Sequence, residues 1–153
     1  MSHVPQESRL LLIEKVLLLK SLSIFSETPE TVLAEVGEIL EEIDFEKGKS
    51  VFAEGEVGNC MYIIFKGEIK IHKGEQLLAV LKENDFFGEL SLLDTETRSA
   101  SATAQTDVLL LKIDQEPFYE LMENRVEVAR GIIQTLCKRV RRLNTQLQEK
   151  NTK

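Results

Sequence analysis

The chain predicts a mainly β domain, a sandwich or roll, with helices at both ends. Three observations carry this expectation. From Ile43 to Ile113 the apolar segments are short and rich in β-branched and aromatic residues. Glycines punctuate those segments at turn spacing. On either side the apolar positions recur at helical steps instead. Dense short strands of this kind close on themselves more readily than they alternate with helices.

The elements follow in order. Residues 7–20 predict a helix with Leu10, Leu11, Ile13, Val16, Leu17 and Leu19 to Leu22 as its apolar positions. It is apolar around much of its circumference, so it must pack on something, which hints at a neighbour beyond the chain. A second helix starts between Ser26 and Pro29, with Thr28 as cap and Pro29 in its first position. Val32, Leu33, Val36, Ile39 and Leu40 form its stripe. Strands are expected at 41–45, 50–53, 60–65, 68–72, 76–81, 100–105 and 107–113, with turns at Lys66-Gly67 and Lys73-Gly74. Asp114 caps a short helix reaching about Met122. A longer helix runs from about Arg125 to Glu149. On it Ile133, Leu136, Val140, Leu143 and Leu147 form a seam, which either packs on the β body or joins a second copy. One domain over 1–153 is expected, with helices at 1–40, the β body at 41–113 and C-terminal helices at 114–149.

Composition narrows the function. A chain of 153 residues with 42% apolar and 29% charged residues is ordinary for a soluble protein. The net charge of −7 gives no basic surface for nucleic acid. Cys60 and Cys137 form no disulfide framework, which fits a reducing, cytoplasmic setting. The run Leu10 to Leu22 is too short and too charged to insert into a membrane, and it lacks the marks of a signal peptide. His3 and His72 have no metal-ligand spacing. No Ser/His/acid signature and no phosphate loop of the Walker type occurs, so no enzyme is expected. A metal-dependent isomerase or dioxygenase barrel would need more histidines than His72 on the strands.

The chemistry concentrates between Phe86 and Ala102, read Phe-Phe-Gly-Glu-Leu-Ser-Leu-Leu-Asp-Thr-Glu-Thr-Arg-Ser-Ala-Ser-Ala. Gly88 lets backbone and ligand approach closely. If Leu90 to Leu93 open a helical turn, the amides of Gly88, Glu89 and Leu90 point at an anion. Glu89 would accept from a sugar hydroxyl, and Arg98 offers a fork that fits two phosphate oxygens. The plainer alternative is a structural Glu89–Arg98 ion pair in a turn. Ser99 and Ser101 read equally well as strand residues. Ser99 faces away from Arg98 on a regular strand, so contact with a shared ligand needs a bend there. Lys138-Arg139 and Arg141-Arg142 read as a solvated basic face near a helix end, or as a lid over an aromatic base.

The stretch Phe87-Gly88-Glu89-Leu90-Ser91-Leu92-Leu93, followed by Arg98-Ser99-Ala100-Ser101, resembles the phosphate-binding cassette of cyclic-nucleotide-binding domains. Phe45, Gly48, Val51, Phe52, Gly55-Glu56, Gly58-Asn59, Met61 to Ile64 and Gly67 fall in register upstream, and Val108 to Ile113 with Phe118 and Leu121 downstream. The resemblance covers roughly residues 20–145. It implies an antiparallel, jelly-roll-like β-roll of about eight strands, and a non-catalytic sensor of cAMP or, less favoured, cGMP. No cofactor is implied beyond that ligand. The resemblance also implies the roles. Glu89 takes the ribose 2′-hydroxyl and Arg98 the cyclic phosphate. Gly88, Leu90 and Ser91 line the phosphate through backbone groups, Ser99 adds a hydroxyl, and Phe87 and Ala100 complete the site. It implies a last helix that caps the base, and an output domain beyond this chain. Two departures stand out: Asn84 sits where the family favours Gly, and Thr97 where it often has Pro. They leave room for a ligand-free interaction or structural module on the same roll.

Overall fold

The computed structural model describes residues 10–151. Helix α1 (Leu12–Ser21), a 3-10 turn (Ser23–Phe25) and α2 (Glu30–Glu38) lead into the β body. The strands are β1 (Glu41–Phe45), β2 (Ser50–Phe52), β3 (Val57–Gly58), β4 (Cys60–Lys66), β5 (Ile69–Lys73), β6 (Gln76–Leu81), β7 (Phe86–Phe87), β8 (Glu96–Thr97), β9 (Ser101–Ala104) and β10 (Val108–Asp114). The five-residue helix α3 (Glu89–Leu93) lies between β7 and β8. Helices α4 (Gln115–Asn124) and α5 (Val126–Asn151) follow. Two four-stranded sheets, ordered β1-β10-β4-β7 and β2-β9-β5-β6, form the antiparallel roll, and the β3–β8 ribbon joins as a third piece.

The first sheet has two buried faces, and its alternation shows why. Along β4, Cys60, Tyr62 and Ile64 point into the roll, where they meet Ile69, Phe87, Ala102, Ala104, Val108 and Leu110. Met61 and Ile63 point the other way and meet Leu19, Phe25, Leu33, Val36, Phe118 and Val128 from the helices. Along β10 the same alternation puts Val108 and Leu110 inside the roll and Leu111 and Ile113 on the helical side, while the register with β4 shifts between Leu109 and Leu110. Phe25 and Phe118 meet edge to face at 6.0 Å and are fully buried. The second sheet is covered on one side only, and its edge strand β6 leaves Leu77, Leu78 and Val80 exposed.

Several expectations need correction. Helix α1 starts at Leu12, because the Leu10 amide is drawn to the Glu42 carboxylate at 2.9 Å. The expected first residues 7–9 lie outside the described residues. Leu11, Leu12, Ile13 and Leu17 stay exposed on α1, while Lys15 is buried. Thr28 does not cap α2: Pro29 holds the cap position, and the Thr28 hydroxyl is buried without a hydrogen-bond partner. Asp114 holds the cap position of α4 without a side-chain bond, because its carboxylate pairs with Lys112 at 3.2 Å. Of the α5 seam only Leu136 packs on the body. Val128, Gly131, Ile132 and Thr135 face the body with it, and Ile133, Val140, Leu143 and Leu147 are exposed. At about 100° per residue the two sets occupy different faces of one helix.

Candidate functional site

The turn before the cassette is built by Asn84, whose φ of 72° is left-handed. Asn reaches that region at less cost than most residues. Its amide donates to the Ile64 carbonyl, and the Ile64 amide donates to the Asp85 carbonyl, both at 2.9 Å. Strand β7 then pairs with β4, Phe87 opposite Tyr62. At Gly88 (φ 79°) the chain leaves the sheet and α3 begins at once. On the far side of the loop Thr97 pairs with Val57. The Arg98 amide donates to the Glu56 carbonyl at 2.7 Å, so the arginine is registered against the Gly55–Gly58 segment. A bend at Ser99 and Ala100 follows.

These segments surround a cavity of about 240 Å³ lined by Phe52, Ile71, Phe87, Gly88, Glu89, Ser91, Glu96, Thr97, Arg98, Ser99 and Ala100. Seven of the eight residues singled out from the sequence therefore share one hollow, and the eighth, Leu90, belongs to α3. Ser91 and Ala100 are buried, Ser99 is exposed at the bend, and Phe87 contributes to the aromatic wall. Phe52, Ile71, Glu96 and Thr97 were not foreseen as lining.

Arg98 is the main surprise. It is only 7% exposed, and among the described residues it pairs with no carboxylate. Its Nη2 donates to the Cys60 carbonyl at 3.0 Å and to Cys60 Sγ at 3.3 Å. Its guanidinium lies 4.2 Å from the centre of the Phe52 ring. That ring belongs to a cluster with Tyr62 and Phe87, the last two stacked at 5.3 Å. Two glycines make the room. A Cβ on Gly58 would stand 2.4 Å from Arg98 Nε, and one on Gly88 2.6 Å from its Nη1. Gly58 is thus more than a turn residue, and the group that approaches Gly88 is the arginine itself. Burial above all, helped by Cys60, pushes the Tyr62 phenol above its ordinary range, with Arg98 acting in the opposite sense.

Glu89 does not meet Arg98. It pairs with Arg139 of α5, Nη1 to Oε1 at 3.8 Å. Arg139 also donates from Nη2 to Ser23 Oγ at 2.9 Å. The basic face expected to be solvated therefore touches the cassette at one residue. Sequence reasoning had no local signal for this, because the two residues lie fifty positions apart. Among the described residues no group of three or more His, Cys, Asp or Glu could hold a metal ion, and no helix is long and apolar enough to cross a membrane.

Residues 42–125 match the family model described as cyclic nucleotide-binding domain. The chain belongs to that family. A similar domain occurs in a CRP-like cAMP-activated global transcriptional regulator of Mycobacterium tuberculosis, 35% identical over 129 residues, or 81% of this chain and 58% of that protein. Human cGMP-dependent protein kinase 2 is 35% identical over 107 residues, 65% of this chain and 14% of the kinase. The crystal structure of the N-terminal domain of a transcriptional regulator from Streptomyces coelicolor superposes with a TM-score of 0.80 at 28% identity, covering 85% of this chain and 94% of that one. The chain thus spans under three fifths of the mycobacterial regulator and a small part of the kinase. The β-roll with helices at both ends is that of a cyclic nucleotide-binding domain.

Proposed function

We propose that residues 1–153 form one regulatory unit that binds cAMP in preference to cGMP and signals through its C-terminal helices, without catalysis and without a cofactor. The observation that carries this is Arg98: a guanidinium at the wall of a cavity, buried among Phe52 and Cys60 with no carboxylate partner among the described residues. A buried cation without a counter-charge is costly. A cyclic phosphate supplies one negative charge and two acceptor oxygens to the fork. Gly88, Leu90 and Ser91 line the phosphate by backbone, Ser99 adds a hydroxyl, Phe87 and Ala100 close the walls, and Glu89 takes the ribose 2′-hydroxyl. The preference for cAMP is supported by the name of the mycobacterial relative, matched over most of this chain. A ligand that engages both cassette and α5 favours one arrangement of that helix by its differential affinity.

Titration calorimetry with cAMP and cGMP tests the reading directly. One site per chain is expected, tighter for cAMP. No heat, and no rise in melting temperature at about 1 mM of either nucleotide, would leave the ligand-free module as the better account.

The exposed seam of α5 favours a second copy as partner, since Val140, Leu143 and Leu147 keep heptad spacing and stay exposed among the described residues. Sedimentation of the wild type against Leu143→Glu reads this out: a dimer that becomes a monomer supports it. A cytoplasmic setting suits the two free cysteines. The transcriptional role named for the relative is assigned to no residue here.

A further inference from the structure

We infer that Cys60 is a positioning residue for the phosphate contact: from β4 its thiol and carbonyl aim the Arg98 fork, and the thiol does so without bringing a charge. This rests on the nucleotide reading above and adds to it the residue that decides which donors Arg98 has left. Cys60 is 5% exposed, points into the roll beside Tyr62 and does not line the cavity, so it acts on a ligand only through Arg98. A guanidinium carries five N–H donors, two of them on each terminal nitrogen. Both acceptors of Cys60 meet the same nitrogen, Nη2, the carbonyl at 3.0 Å and Sγ at 3.3 Å. Among the described residues no hydrogen bond takes the donors of Nη1 or Nε, and Nη1 is the nitrogen that stands against Gly88 at the cassette turn. The Phe52 ring, 4.2 Å from the guanidinium carbon, limits the tilt of the fork, and the Arg98 amide on the Glu56 carbonyl fixes its root. Rotation within the plane of the fork is left, and the two Cys60 contacts restrain it.

The residue type matters as much as the place. Sulfur is a weak acceptor that suits an apolar wall. A carboxylate there would form a charge-assisted pair and compete with the phosphate for the same cation. The plainer account is that Cys60 is small apolar filling and its carbonyl does all the holding. Against it, burial first and the same thiol second push the Tyr62 phenol above its ordinary range, so the sulfur is in polar contact on two sides.

The test uses cAMP and its two phosphorothioate diastereomers, each with one exocyclic phosphate oxygen replaced by sulfur, so that ribose and base cancel from their affinity ratio. Calorimetric titrations would compare the whole chain as wild type, Cys60→Ala, Cys60→Ser, Cys60→Asn and Cys60→Asp. The wild type should prefer one diastereomer. Cys60→Ala should narrow that preference by about two- to fivefold, the lower part of the range for a neutral hydrogen bond, and Cys60→Ser should restore part of it. Cys60→Asp should bind cAMP about tenfold more weakly than Cys60→Asn, which has the same shape, because a charged acceptor holds the cation roughly twice as strongly. A loss of packing alone would weaken both diastereomers alike and would not separate Asp from Asn. A wild type blind to the diastereomers, an unchanged ratio in Cys60→Ala, or equal affinities of the Asp and Asn variants would each overturn the inference and leave the sensor reading in place. If the wild type does not bind cAMP at all, it is the sensor reading that has failed. Should Cys60→Asp not fold, the ratio in Cys60→Ala against Cys60→Ser decides.

Discussion

Arg98 and Glu89 line the same cavity but are held by different parts of the molecule. Arg98 is gripped inside the roll by a strand carbonyl, a thiol and a ring, all on β2 and β4. Glu89 is tied across to α5 by one long pair. The Arg98 end of the cavity is therefore held by the roll itself, and the Glu89 end depends on a helix that docks with one face only. Under the nucleotide reading proposed above, affinity would reside at the first end and response at the second.

Removing the rigid end should have the largest effect. Arg98→Ala should weaken cAMP binding by about 1.5–3 kcal/mol, the worth of a hydrogen bond to a charged group. Calorimetry reads the affinity, and circular dichroism should show the roll retained. Equal affinity in the variant would break the comparison. Gly58→Ala is the subtler version, because the backbone there tolerates alanine but the new Cβ would meet Arg98 Nε at 2.4 Å. Pushing the guanidinium aside should cost about 1–2 kcal/mol of affinity, in the range of overpacking. Phe52→Leu keeps bulk but removes the ring face, and about 0.5–1 kcal/mol of affinity should go with it.

The smallest effect concerns the α5 end. Lys138 holds the Glu27 carboxyl below its ordinary value of 4.5. A carboxyl depressed on folding stabilises the fold above its unfolded value, and the benefit disappears as pH falls through the folded one. The melting temperatures of wild type and Lys138→Met should therefore differ near neutrality and converge as the pH is taken well below 4.5. A gap that persists in acid would mean that Lys138 contributes by packing instead.

The roll was legible because its signal is local. The apolar run Cys60 to Phe65 and the glycine turns fix the strands within a residue or two. Strands of two residues, β3, β7 and β8, carry no period and were missed. The cassette could be read as a motif, and the structure gathers its residues round one hollow. What surrounds Arg98 could not be read. Its partner Cys60 lies 38 positions upstream, in a register set by the β3–β8 ribbon. Helix caps failed too: Asp114 and Thr28 have the right chemistry, but a strand neighbour, Lys112, recruited the first and packing buried the second.

Strand β4 serves as a party wall, its odd residues facing the helices and its even ones the apolar inside of the roll. The two compartments should accordingly melt as one cooperative unit, with a single calorimetric peak. Sequence drift should be confined along this wall, since any substitution there disturbs one tenant or the other, whereas the open border at β6 is free to diverge among lineages.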